Sequence, residues 1–319
     1  MVYIGIDLGG TNIAVGVCDE NLKIKVKGSV PTNPQRSPEL IVKDMADLSA
    51  KLLKECGASL EDVASVGIAT PGTANSDTGV VEYSNNIPFL RFPIADVFKS
   101  YLPVKQVLIE NDANAAALAE ALSGAAKGTK KSVMITLGTG VGGGIVIDGK
   151  VYSGFNHAGG ELGHIVIEKG GRPCSCGRRG CWEAYSSATG LVNMTREKVT
   201  ECKIKGIPSL MVDEFEETGR VSARTAFSAM KKGDKAGAEV VNEYIDYLAC
   251  GVTNIINIFQ PEVLSIGGGI CGEGDYLLKP LLEIVNTEQY TRKIPNRCRV
   301  RIAELGNDAG IIGAAGLGL

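Results

Sequence analysis

Histidine is nearly absent from this chain: His157 and His164 are the only two among 319 residues. Excess positive charge is missing as well. Lys and Arg number 33 against 36 Asp and Glu, for a net charge of −3, which leaves no electrostatic footprint for nucleic acid or an anionic membrane surface. No apolar run approaches the ~18–20 residues of a membrane span. No secretory leader is recognisable ahead of the first apolar strand, and the nine cysteines are odd in number. A disulfide framework is therefore not expected, and a reducing cytoplasm is.

With histidine so scarce, the position of His164 is hard to ascribe to chance. It stands in GELGHIVIEKGGRPCSCGRRGC, followed by Cys174, Cys176 and Cys181. One imidazole and three thiolates make a complete tetrahedral set for a structural Zn²⁺, with no open position for a catalytic water. The expected task of that zinc is to fold a loop, and Glu161 and Glu183 flank it. The other cysteines, Cys18, Cys56, Cys202, Cys250, Cys271 and Cys298, are scattered in mostly apolar contexts, as small buried hydrophobes are. His157 reads as a loop residue without an assigned task.

The rest of the chain is an ordinary globular composition, 44% hydrophobic and 22% charged, with 41 glycines gathered into runs. Strands are expected near 2–8, 12–18 and 22–30, then a helix opened by Ser37-Pro38 and ended by Gly57. Strands at 63–70 and 104–109 follow, with a helix over 113–123. From Lys131 the pattern starts again: strand, Gly-rich turn, strand, turn, strand. Helices over 185–204, 222–232 and 234–259, strands at 263–266 and 300–303, and a terminal helix complete it. One topology occurring twice predicts an α/β protein of two similar domains facing each other across a cleft. The expected division is 1–113 plus 305–319 for one domain and 114–304 for the other.

Three glycine clusters are candidates for phosphate or nucleoside contact. Asp7, Gly9, Gly10, Thr11 and Asn12 lie on the first hairpin, where glycines with positive φ would let backbone N–H groups approach a phosphate. Asp7 is placed to hold Mg²⁺ through water; a plain hairpin turn is the alternative. Thr139, Gly140, Gly142 and Gly143 hold the equivalent place in the second half. Gly268 and Gly269 end a later strand and suit an adenine or ribose. Asp112 ends a strand before a helix, so it is either an N-cap or a carboxylate able to accept a proton from a hydroxyl nucleophile. Glu161 and Glu183 are suited to sugar hydroxyls, although Glu183 also reads as a surface residue and Glu161 as a partner of Arg178 or Arg179.

DLGGTN, ENDANAAALAE, LGTGVGGG, ELGH and CSCGRRGC together resemble the ROK family (repressors, open reading frames, kinases) over essentially the whole chain. The resemblance implies the actin-like ATPase fold, with duplicated ribonuclease H-like domains around an ATP cleft. It implies ATP-dependent, Mg²⁺-assisted phosphorylation of a hexose, most simply glucose at its 6-hydroxyl. Asp112 would be the base, and Gly72, Asn86, Asn111, Asp112, Glu161, His164 and Glu183 would line the sugar site. His164 would serve zinc with one ring nitrogen and the sugar with the other. Kinases for fructose, allose, N-acetylmannosamine or N-acetylglucosamine, and a non-catalytic sugar-sensing regulator, are the rivals. Family repressors carry a helix-turn-helix ahead of the first phosphate strand, which here begins at Val2, so the kinase branch is expected. A homo-oligomer, dimer or tetramer, is the expected assembly.

Overall fold

The computed structural model describes residues 1–319. Its first half runs β1 (Val2–Leu8), β2 (Asn12–Cys18), β3 (Ile24–Pro31), α1 (Pro38–Glu55), β4 (Val63–Thr70), β5 (Thr73–Asn75), β6 (Val80–Tyr83), β7 (Leu90–Phe92), α2 (Ile94–Tyr101), β8 (Val107–Asn111) and α3 (Asp112–Ser123). The second half runs β9 (Lys131–Leu137), β10 (Val141–Ile147), β11 (Lys150–Val151), α4 (Glu183–Ser186), α5 (Ala188–Lys205), α6 (Leu210–Thr218), α7 (Thr225–Lys231), α8 (Lys235–Phe259), β12 (Val263–Gly267), α9 (Asp275–Glu288), β13 (Arg299–Ile302) and α10 (Ala309–Gly316).

The duplication is explicit in the strand orders. The first sheet is β3-β2-β1-β4-β8 and the second β11-β10-β9-β12-β13. Each is an antiparallel meander extended by two strands reached through helices. β1, β4 and β8 pair in parallel, as do β12 and β13. The chain forms two compact units: residues Met1–Met134, Gly144–Gly160 and Ala303–Leu319 in one, Ile135–Gly143 and Glu161–Ile302 in the other.

In the first unit the period-2 alternation of β1 assigns its residues to two faces. Ile4, Ile6 and Leu8 enter a core with Ile41, Met45, Leu48 and Leu52 of α1 and Phe98 of α2. Tyr3, Gly5 and Asp7 occupy the other face. There Gly5 and Gly67 leave room for a helix backbone: a Cβ on Gly5 would collide with the Ile311 carbonyl, and one on Gly67 with that of Ala314. Helix α10 thus lies directly on β1 and β4, and its N-terminal turn meets Asp7, whose carboxylate occupies the space a side chain on Gly310 would need.

In the second unit α8 buries Val240, Val241, Tyr244, Ile245, Leu248, Val252, Ile255 and Ile256. The chain's one tryptophan, Trp182, packs fully buried against Gly251 and donates from Nε1 to the Tyr247 carbonyl at 3.1 Å. A side chain at 251 would fall on the indole ring. No helix is long and apolar enough to cross a membrane.

Several elements differ from the sequence reading. β8 spans 107–111 rather than 104–109, because its register is set by pairing Val66–Thr70 with Val107–Asn111. The small sheet β5-β6-β7 and helices α2, α6 and α9 were not expected. α9 carries Pro280 in its interior, a residue that argues locally against a helix.

Candidate active site

In open α/β sheets the carboxyl ends of parallel strands gather functional groups, and β8 ends in Glu110-Asn111-Asp112. Two residues at this junction are candidates to cap α3, and the structure gives the task to Asn111. Its Oδ1 accepts from the N–H groups of Ala113 (3.0 Å) and Asn114 (3.2 Å), and its Nδ2 donates to the Gly72 carbonyl at 3.1 Å. Asp112 is the first residue of the helix and is exposed, with Oδ1 2.8 Å from the N–H of Ala113. A carboxylate there lies at the positive end of the helix dipole.

Beneath this turn lies Glu110, which is 5% exposed. Its Oε1 accepts from the backbone N–H of Asn111 (2.8 Å) and from Asn114 Nδ2 (3.0 Å). Burial pushes its carboxyl above the ordinary range, and these two donors pull it back. Sequence reasoning noticed Glu110 only as a polar neighbour. Gly72 has φ +91, and a Cβ there would strike the Tyr83 carbonyl. Asn86 is exposed and lies against Gly10, so the structure brings the loop after β6 to the first glycine hairpin.

That hairpin is braced by Thr32, fully buried and missed in the sequence. Its Oγ1 donates to the Gly9 carbonyl at 2.7 Å and its N–H to Thr11 at 2.8 Å, while Gly9 N–H closes on Asn12 at 2.9 Å. The expectation of positive φ at this hairpin is corrected: Gly9, Gly10, Gly140, Gly142 and Gly143 are not left-handed. Of these, Gly140 is short of space for a side chain. Gly268 is left-handed, at φ +102, and a Cβ there would meet the backbone of Leu137. Burial and then the Asp112 charge push the Asp7 carboxyl up to about 6.

In the second unit Glu183 Oε2 accepts from the Val141 N–H at 3.0 Å. A side chain at Gly140 would overlap that carboxylate, so Gly140 is small for Glu183. The other oxygen of Glu183 lies 3.3 Å from Ser175 Oγ and 3.8 Å from Cys174 Sγ. Glu183 is therefore a bridge between the second hairpin and the cysteine loop. Thr139 and Gly269 share a cavity of about 280 Å³ with Leu137, Ala188, Arg224 and Glu273; the last three were not singled out from sequence.

The donor atoms of His164, Cys174, Cys176 and Cys181 all lie within 4.8 Å of one another. Cys176 and Cys181 sulfurs are 3.6 Å apart, and Cys174 Sγ is 3.7 Å from His164 Nδ1. His164 Nε2 faces Glu161 Oε2 at 3.9 Å. Arg178 donates instead to the His164 carbonyl and Arg179 to that of Gly170, so neither of these contacts goes to Glu161. The loop is held by Tyr185, whose hydroxyl accepts from the Arg172 N–H at 2.6 Å.

A family model described as "ROK family" matches residues 3–319. A glucokinase of Halalkalibacterium halodurans is 39% identical over 317 residues, covering 99% of this chain and 94% of that protein. A glucokinase of Thermotoga maritima is 36% identical, covering 98% of this chain and 96% of that protein. Among solved structures, a ROK family glucokinase from Streptomyces griseus in complex with glucose and AMPPNP is 31% identical with a TM-score of 0.79, covering 99% of each chain.

The Asp7 shift has a testable sign. Its carboxyl titrates from 3.8 to about 6 on folding, so between those values the folded state keeps a proton that the unfolded state has lost. The residue thus becomes unfavourable as pH rises through that window, and stays so above it. In urea melts we expect Asp7→Asn to gain roughly 3 kcal/mol above about pH 6.5 and little below about pH 4. A variant no more stable than the parent near neutrality contradicts burial as the cause.

Proposed function

The chain belongs to the ROK family, and from that premise we propose that it is an ATP-dependent hexose kinase that converts D-glucose to glucose 6-phosphate. The observation that carries this reading is full-length similarity to glucokinases combined with an exposed aspartate at the end of β8 that does not cap its helix. N-acetyl-D-glucosamine kinases of Yersinia pseudotuberculosis are 30% identical over the whole chain, so N-acetylglucosamine is a rival substrate.

Asp112 is assigned as general base, accepting the proton of the 6-hydroxyl as that oxygen attacks the γ-phosphorus and the bond from the γ-phosphorus to the β-phosphate oxygen breaks, releasing ADP. Such a base is worth roughly 10²–10⁴ in rate. Asn111 has both lone pairs of Oδ1 committed to capping, so its sugar contact would come from the remaining Nδ2 hydrogen. Glu161 and Glu183 supply acceptors for further hydroxyls and His164, with one ring nitrogen on zinc, a donor from the other, with Gly72 and Asn86 on the loops beside Asn111 and Gly10. Asp7, Gly9, Gly10, Thr11 and Asn12, together with Thr139, Gly140, Gly142 and Gly143, are assigned to phosphates, and Gly268 and Gly269 to the adenosine. Mg²⁺ arriving with ATP supplies charge neutralisation at the phosphates.

The donor set of the cysteine loop fits Zn²⁺. Ligand atoms on a tetrahedron with Zn–S of about 2.3 Å stand ~3.6–3.8 Å apart, which agrees with the 3.6 and 3.7 Å separations here. Four protein ligands leave no open position, so the ion's contribution is to fold residues 161–183.

Asp112→Asn is expected to lower kcat by about 10²–10⁴ while glucose affinity stays within about threefold; near-normal turnover contradicts the assignment. Purified chain should hold one equivalent of zinc by elemental analysis. Chelation or Cys176→Ser should abolish glucose binding through loss of the folded loop. A metal-free chain that phosphorylates glucose at the full rate contradicts the structural role.

A further inference from the structure

We propose that His157 is a positioning residue that pins residues 153–160 to the turn between β5 and β6, and that through this anchor it sets hexose affinity; the proposal rests on the hexose-kinase reading above. His157 has φ +60, a left-handed backbone that a side chain adopts at a cost. The same loop uses glycine for its other left-handed positions, Gly154 and Gly160. Glycine would relieve the strain at 157, so the imidazole has to return something through its contacts.

Those contacts are polar and enclosing. The ring is only 12% exposed, with Nε2 3.5 Å from Asp77 Oδ2 and Nδ1 3.3 Å from Ser76 Oγ. It is also close enough to the buried Glu110 for its charge to favour the ionised carboxylate. His157 thus reaches the β5–β6 turn through Ser76 and Asp77.

Apolar packing does not hold this loop. Phe155, two residues earlier, is 99% exposed and Tyr152 is 48% exposed. Its internal backbone bonds are few: Gly159 N–H to Ser153 at 2.7 Å and His157 N–H to Gly154 at 3.5 Å. The chain leaves the first unit after Gly160, and the next residue is Glu161. Fixing residue 157 therefore fixes the point from which the Glu161–His164 stretch sets out.

The variant series separates strain from anchoring. His157→Gly keeps the backbone conformation without strain and removes the anchor. His157→Asn tolerates left-handed φ and keeps a short polar side chain. For His157→Gly we expect a glucose KM raised about three- to tenfold, the worth of one or two modest hydrogen bonds, with kcat and the ATP KM within about twofold. His157→Asn should recover part of the loss. Limited chymotrypsin cleavage beside Phe155 should also accelerate in the glycine variant, at unchanged thermal midpoint.

A glucose KM that does not move, or a loss confined to kcat, overturns the positioning role. Unchanged cleavage overturns the anchor whether or not the chain phosphorylates a hexose. Absence of any hexose phosphorylation in the parent chain condemns the kinase reading instead.

Discussion

An oxygen that accepts two backbone hydrogen bonds has no lone pair left for a substrate, and this constraint organises the turn between β8 and α3 in the first unit. At the start of α3 four orphan N–H groups demand acceptors. Asn111 supplies both lone pairs of its Oδ1 to Ala113 and Asn114, so Asp112 is not the cap. Glu110 takes the N–H of Asn111 and the amide of Asn114 from below. The three consecutive polar residues have three tasks: Glu110 braces, Asn111 caps, and the exposed Asp112 keeps one carboxylate oxygen on the Ala113 N–H. A cap of this kind is worth about 1 kcal/mol, and a helix without it would draw on Asp112.

Close backbone approach is the second theme. Gly5 and Gly67 admit α10 onto the sheet, which places its first turn over Asp7 and buries that carboxylate. In the second unit Gly251 admits Trp182 onto α8, and the residue following that anchored indole is Glu183. Glu183 in turn holds Val141 with one oxygen and approaches the cysteine loop with the other. Packing of small residues thus determines where the Asp7 and Glu183 carboxylates point.

Much of this was legible in the residues themselves. The meanders, the helices α1, α3 and α8, and the recurrence of one topology follow from apolar periodicity and glycine turns, which are local signals. The four zinc-type ligands were legible because His-Cys-Cys-Cys spacing is specific and histidine is scarce. What stayed hidden depends on partners distant in sequence. Thr32 reveals its role only when β3 pairs with β2 and brings it to Gly9. Gly140 looked like a phosphate-loop glycine, yet its size answers to Glu183, 43 residues away. Helix α9 forms around Pro280 because Leu277, Leu281 and Val285 bury against the core, and tertiary packing outweighs a local breaker. His157 gave no sequence signal at all, since a left-handed backbone and a Ser76–Asp77 contact cannot be read from a lone histidine.

The account stands or falls on which group meets the sugar's 6-hydroxyl. A crystal structure with glucose and a non-hydrolysable ATP analogue measures that directly. The account predicts an Asp112 carboxylate oxygen within about 3 Å of the 6-oxygen, with Asn111 Oδ1 still on the helix N–H groups. A carboxylate turned away from the sugar, or retracted to cap α3 in place of Asn111, would contradict it.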